Sequence, residues 1–214
     1  MRYAHVLTLG LTGMALMACA HRTQAQADTT RDAVSDGGVE GNLPPAGYGT
    51  LEQSRLAVTI RTDELEIRFV PLDERVTRLL APDAYRSLHE LVASRRAGID
   101  SLGIPDPGLM LVTFFSKRPD VLFDAQLISI EVRSRRYRPI GVIPYSSNFT
   151  SGQLGTREQA TGIIVFDSEL AVYEPMTFAY DLLTTNGWER NLGAIERERS
   201  RVTLRAQQAA EERR

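Results

Sequence analysis

The sequence predicts a mainly β fold, an antiparallel β-sandwich of about seven strands with one inserted helix and a C-terminal helix. Three patterns carry that reading. Apolar residues alternate with polar ones over several short windows, which is the period of a half-buried strand. Two continuous apolar runs, 109–115 and 161–166, suit strands buried on both faces. Two further windows space their apolar residues by three and four, the period of a helix packed along one side. A mixed α+β sheet is the competing architecture.

The chain has 214 residues and opens MRYAHVLTLGLTGMALMACA. Arg2 precedes an uncharged apolar stretch of thirteen residues, Val6 to Ala18. That suits the core of a signal peptide and falls short of the ~20 residues that span a bilayer. Leu16-Met17-Ala18-Cys19 resembles a bacterial lipobox. The resemblance implies cleavage after Ala18, residues 1–18 being the signal, and acylation of Cys19, the only cysteine. Ala25-Gln26-Ala27 is a second candidate, an ordinary small-x-small cleavage site, and an uncleaved anchor is a third. Two acyl chains hold a protein stably on a membrane where one holds it marginally. Ala20, where enteric lipoproteins retained in the inner membrane carry aspartate, implies the outer membrane. The expected location is therefore the cell envelope, facing the periplasm or the surface.

Residues 19–49 contain Gly37-Gly38, Gly41 and Pro44-Pro45 in a polar stretch without sustained periodicity. Such composition buries too little apolar area to offset chain entropy, so a flexible tether is expected, with an arm docked on the domain as the alternative. The folded domain is expected over 50–214.

Within it, Leu56, Val58 and Ile60 alternate, and Leu65, Ile67 and Phe69 alternate on the opposite parity. The flip requires a turn at Thr62-Asp63-Glu64. Pro82 can open a helix in which Tyr85, Leu88, Leu91 and Val92 form the stripe, with Gly98 expected as its stop. The run 109–115 follows as a central strand. Ile128, Ile130 and Val132 alternate; Pro139 and Pro144 mark 138–145 as an edge piece; 161–166 is a second central strand. Met176, Phe178, Tyr180 and Leu182 alternate as the last strand. Trp188, Leu192, Ile195 and Val202 then share one face of a helix expected over about 187–210, with Trp188 docking it.

The sequence from 109 to 182 resembles Ig-like or fibronectin-like domains of bacterial envelope lipoproteins. The resemblance rests on the first buried run, Phe123-x-x-x-Leu127, Tyr137-Arg-Pro139, Gly162-Ile-Ile-Val-Phe166 and the final alternating strand. The cysteine pair and core tryptophan of true immunoglobulin domains are missing.

Composition narrows the chemistry. With 25 basic residues against 27 acidic ones, the net charge is -2, unlike the basic balance of a nucleic-acid binder. One cysteine excludes an internal disulfide framework and a cysteine-based zinc site. His89 is the sole histidine after residue 21, and no Gly-x-Ser-x-Gly elbow accompanies it, so a surface or packing role is expected. Asp63, Glu64, Glu66 and Asp73-Glu74 lack the spacing of a calcium loop. No phosphate-cradling motif occurs, and no cofactor is expected.

Two features remain as candidate partner contacts. Arg133, Arg135 and Arg136, with Arg138, form the strongest local charge, suited to an anionic partner or to a solvated turn. Phe149 stands in the polar loop 145–156, either as a partner anchor or as a plug pinning that loop. The expected function is a non-enzymatic interaction or structural module, joined to the membrane by acyl chains and to another envelope protein by its folded part. A carboxylate-dependent periplasmic hydrolase and a small-ligand or lipid-binding module are the alternatives.

Overall fold

The structure is a computed structural model and describes residues 43–214. Cys19, Ala18, the signal and most of the tether lie outside the described residues. The described part is mainly β, in antiparallel sheets. The larger sheet contains β1 (Val58–Arg61), β2 (Leu65–Pro71), β3 (Gly108–Ser116), β9 (Gln159–Phe166) and β7 (Gly141–Pro144), paired in that order. The smaller contains β11 (Leu183–Thr185), β10 (Thr177–Tyr180), β5 (Ile128–Val132) and β6 (Arg135–Tyr137). A short ladder joins β4 (Val121–Leu122) to β8 (Gln153–Leu154).

Register decides which side chains meet. Phe69, Val112 and Gly162 stand side by side across β2, β3 and β9, as do Ile67, Phe114 and Ala160. Their shared face looks at the smaller sheet, where the Phe69 and Phe178 rings lie 5.3 Å apart and those of Phe114 and Tyr180 5.7 Å apart. The opposite face of β3 and β9 carries Leu111 beside Ile163, both buried. Helix α2 (Pro82–Asp100) lies on that outer side, with Ile143 of β7 beneath Gly98. Both central strands are thus covered twice, which is why they read as continuous apolar runs rather than alternating ones.

The structure alters several boundaries. Helix α2 continues through Gly98, because that residue packs on Ile143 and nothing there breaks the hydrogen-bond ladder. The left-handed residue after the helix is Gly103, at φ +66°. Strand β10 ends at Tyr180: Asp181 turns the chain at φ +53°, and Leu182 stands 90% exposed rather than in the core. The folded part also begins before residue 50. Pro44 and Gly49 are buried, and a Cβ at Gly49 would fall 2.3 Å from the Leu79 carbonyl carbon. The four short strands β4, β6, β8 and β11, and the one-turn helix α1 (Glu74–Thr77), are additions to the sequence reading. Asp73 caps α1 by accepting the Arg75 amide at 2.8 Å.

Helix α3 (Glu189–Glu211) is held where the sequence suggests. Trp188 is fully buried, and its indole N–H donates to the Val172 carbonyl at 3.0 Å. Ile195 and Val202 continue the buried face. Glu198 lies on it too, at 2% exposure. Its carboxylate accepts from the Thr50 amide at 2.9 Å, the Thr50 hydroxyl at 2.8 Å and Arg205 Nη2 at 2.7 Å. A buried charge without partners would be costly; here every contact is a donor. Burial pushes this carboxyl's pKa up, but Arg205 and Thr50 outweigh it and hold it below the ordinary value.

Candidate functional site

The basic run is a hairpin. Arg133 and Ser134 form the two-residue turn between β5 and β6, both at positive φ (46° and 67°), the mark of a type I′ turn. Arg133, Arg135 and Arg136 each meet an acid. Arg133 pairs with Glu174, Arg135 lies 3.4 Å from Asp167, and Arg136 lies 3.5 Å from Glu131. Arg135 also donates to Ser168 Oγ at 2.9 Å and stacks 4.6 Å over the Tyr137 ring. An anionic partner would therefore have to compete with carboxylates already in place.

Phe149 takes the plug position. Its side chain is 5% exposed and lies over Gly162, where an added Cβ would sit 2.7 Å from the ring. Phe123 at 5.4 Å and Phe114 at 5.9 Å complete the cluster. The glycine in β9 is the space the ring fills. A partner could reach this phenylalanine only by lifting the loop, so of the two readings its burial favours the plug.

At the end of the sandwich where β2 finishes and β3 begins, a cleft of about 670 Å³ opens between α2, α1 and the 104–108 segment. A second hollow of about 380 Å³ adjoins it along α2, sharing Leu72, Glu74, Arg96 and Leu109. Glu74 stands at the junction. Its Oε2 accepts from Arg78 Nε at 2.5 Å and the Tyr85 hydroxyl at 3.0 Å, while Oε1 lies 3.0 Å from His89 Nδ1. Burial raises the Glu74 pKa, but the bonds from Arg78, His89 and Tyr85 prevail and hold it below the ordinary value. Burial, then the hydrogen bond to Glu74, pushes the Tyr85 phenol up. Beside this group, Arg75 bridges Asp73 at 2.5 Å and Glu169 at 3.2 Å.

The Glu74–His89 contact was not visible in sequence. The only trace was Tyr85 and His89 at i and i+4, a spacing that puts both on one side of α2. With Glu74 ionised, the carboxylate can only accept, so His89 Nδ1 donates to it. Among the described residues, the recorded hydrogen bond of His89 goes to this carboxylate, not to a hydroxyl or thiol nucleophile. Glu74 is held below its ordinary pKa by Arg78, His89 and Tyr85, the reverse of the raised value that a general acid requires.

The opposite end of the sandwich is different in kind. There the 62–64 turn, the 117–127 segment and the 181–183 turn converge. Leu122 is 72% exposed, Leu127 44% and Leu183 45%, beside Leu182. Leu122 and Leu183 line one shallow hollow of about 430 Å³, and the Asp181 amide donates to the Leu127 carbonyl at 3.0 Å. Alternation alone does not show where a strand ends, so Leu182 reads as part of the last strand although Asp181 turns the chain before it.

Among the described residues, no group of histidine, cysteine and acidic side chains is arranged to hold a metal ion, and no helix is long and apolar enough to cross a membrane. No protein-family model, curated protein or solved structure matches this chain.

Proposed function

We propose that this chain is a lipid-anchored protein of the cell envelope, in the outer membrane, whose folded domain is a non-enzymatic interaction module of Ig-like type. The single observation that carries the interaction role is the group of exposed leucines gathered at one end of the sandwich. Isolated apolar side chains are ordinary on a surface; several converging from separate loops suit a contact site. The Ig-like assignment is supported by two facing antiparallel sheets whose loops collect at opposite ends. Helix α2 over the outer face is its main departure. The alternatives draw less support. Aromatic rings fill the space between the sheets, leaving little room for a lipid there. Glu74, at the junction of the two hollows, is held below its ordinary pKa, the opposite of what the acid of a paired-carboxylate hydrolase needs.

The anchor and the module are tested together. Cells expressing the native chain or Cys19→Ser are fractionated, and a photo-crosslinking residue is placed in turn at position 182 and position 134. The reading predicts palmitate labelling and membrane retention for the native chain only, and discrete crosslinked adducts. Specific turnover of a substrate by the purified chain, abolished by one polar substitution, would overturn the non-enzymatic role.

A further inference from the structure

The leucine end also has a charge. Asp63, Glu64, Asp120, Asp124 and Asp181 are exposed on the loops that present Leu122, Leu127, Leu182 and Leu183. The basic side chains on those loops are Lys117 and Arg118. Lys117 is committed to the Thr62 carbonyl at 2.7 Å, and Arg118 lies 3.9 Å from Glu64. The leucines are thus set against an acidic edge, Asp63, Glu64 and Asp181 lining the same hollow as Leu122 and Leu183.

We propose that this end docks a protein segment that is apolar and basic: leucine-like side chains set against Leu122 and Leu182, flanked by lysine or arginine facing the acidic edge. The occupant follows from complementarity. An anionic lipid surface would be repelled by the same acids. A second copy of the chain, docked through the same end, would bring two acidic edges together. A basic segment neutralises the edge and covers the leucines at once. The site lies at the far end of β1 from the contact between Thr50 and α3, so docking leaves that contact undisturbed.

The inference rests on the interaction-module reading and names its partner class. Binding is measured with the purified full chain, by fluorescence anisotropy of a labelled peptide of alternating leucine and lysine. A twin with glutamate for lysine is the control. The lysine peptide is expected to bind at least tenfold tighter than the twin and to weaken as salt rises from 0.1 to 1 M, a range over which the screening length falls from about 10 Å to about 3 Å. The double variant Leu122→Ser/Leu182→Ser should lose at least tenfold in affinity at unchanged Tm. Arg133→Ser/Glu169→Ser, at the other end, should bind as the native chain does. Equal binding of the two peptides, or full binding by the leucine variant, overturns the proposal. So does dimerisation of the chain, or attachment to anionic vesicles, that the leucine variant abolishes. In cells, adducts from position 134 without any from position 182 would sink this surface and spare the module; adducts from neither would sink the module itself.

Discussion

Trp188 and Glu198 show how single side chains hold α3, and they fail differently. Trp188→Ala removes a fully buried ring and leaves the Val172 carbonyl without its donor; a loss of about 3–5 kcal/mol in unfolding free energy is expected from chemical denaturation. Glu198 acts through charge. Its pKa is lower folded than unfolded, so the unfolded state binds more protons across that interval. The stabilisation is complete above the unfolded value, about 4.5, and disappears as pH falls through the folded one. Glu198→Gln should be less stable at pH 7 and should flatten the decline of Tm below pH 5. Gly162→Ala should also destabilise, since Phe149 must move to admit the methyl group; weakened protection of the 145–156 amides from hydrogen exchange would report it. Trp188 was legible in sequence because an aromatic at the head of an amphipathic helix has few other uses. Glu198 was not: its charge placed it on the solvent side of the same helix, and only its distant partner Thr50 explains the burial.

Elements were legible in proportion to their length. The apolar runs of β3 and β9 and the alternation of β1, β2 and β5 announced themselves because covered faces impose a period. Strands of two or three residues carry no measurable period, so β4, β6, β8 and β11 emerged only with their partners. The β5–β6 turn hid for another reason. Two-residue turns of its type favour Asn-Gly, and Arg133-Ser134 supplies neither residue. Both hold a left-handed backbone at some cost, which predicts that Ser134→Gly stabilises the protein by about 1 kcal/mol. A thermal melt of that variant checks it. A fall in Tm would mean that the hairpin has another geometry. The basic character of the run was visible, but its pairing with Glu174, Asp167 and Glu131 was not, since two of those acids come from distant segments.

For the molecule as a whole, the two ends of the sandwich divide the surface by chemistry. One holds the charged cleft around Glu74; the other presents leucines with an acidic border. Sequence alone could not assign these ends, because each is assembled from turns far apart along the chain. The cleft predicts a local effect of pH. As Glu74 is protonated below its ordinary range, its bonds to Arg78 and His89 weaken, and α1 should lose hydrogen-exchange protection before the β3–β9 pair does. Simultaneous loss in both would show that the group is not an independent unit.

The meeting of Thr50 with Glu198, reinforced by Arg205 on the Tyr48 carbonyl, has a mechanical meaning. Tension arriving along the chain from its N-terminal side reaches this knot before it reaches β1. Helix α3 takes the first strain and the sheets are shielded, so a pull in that direction meets a charged buckle ahead of the unzipping of a strand.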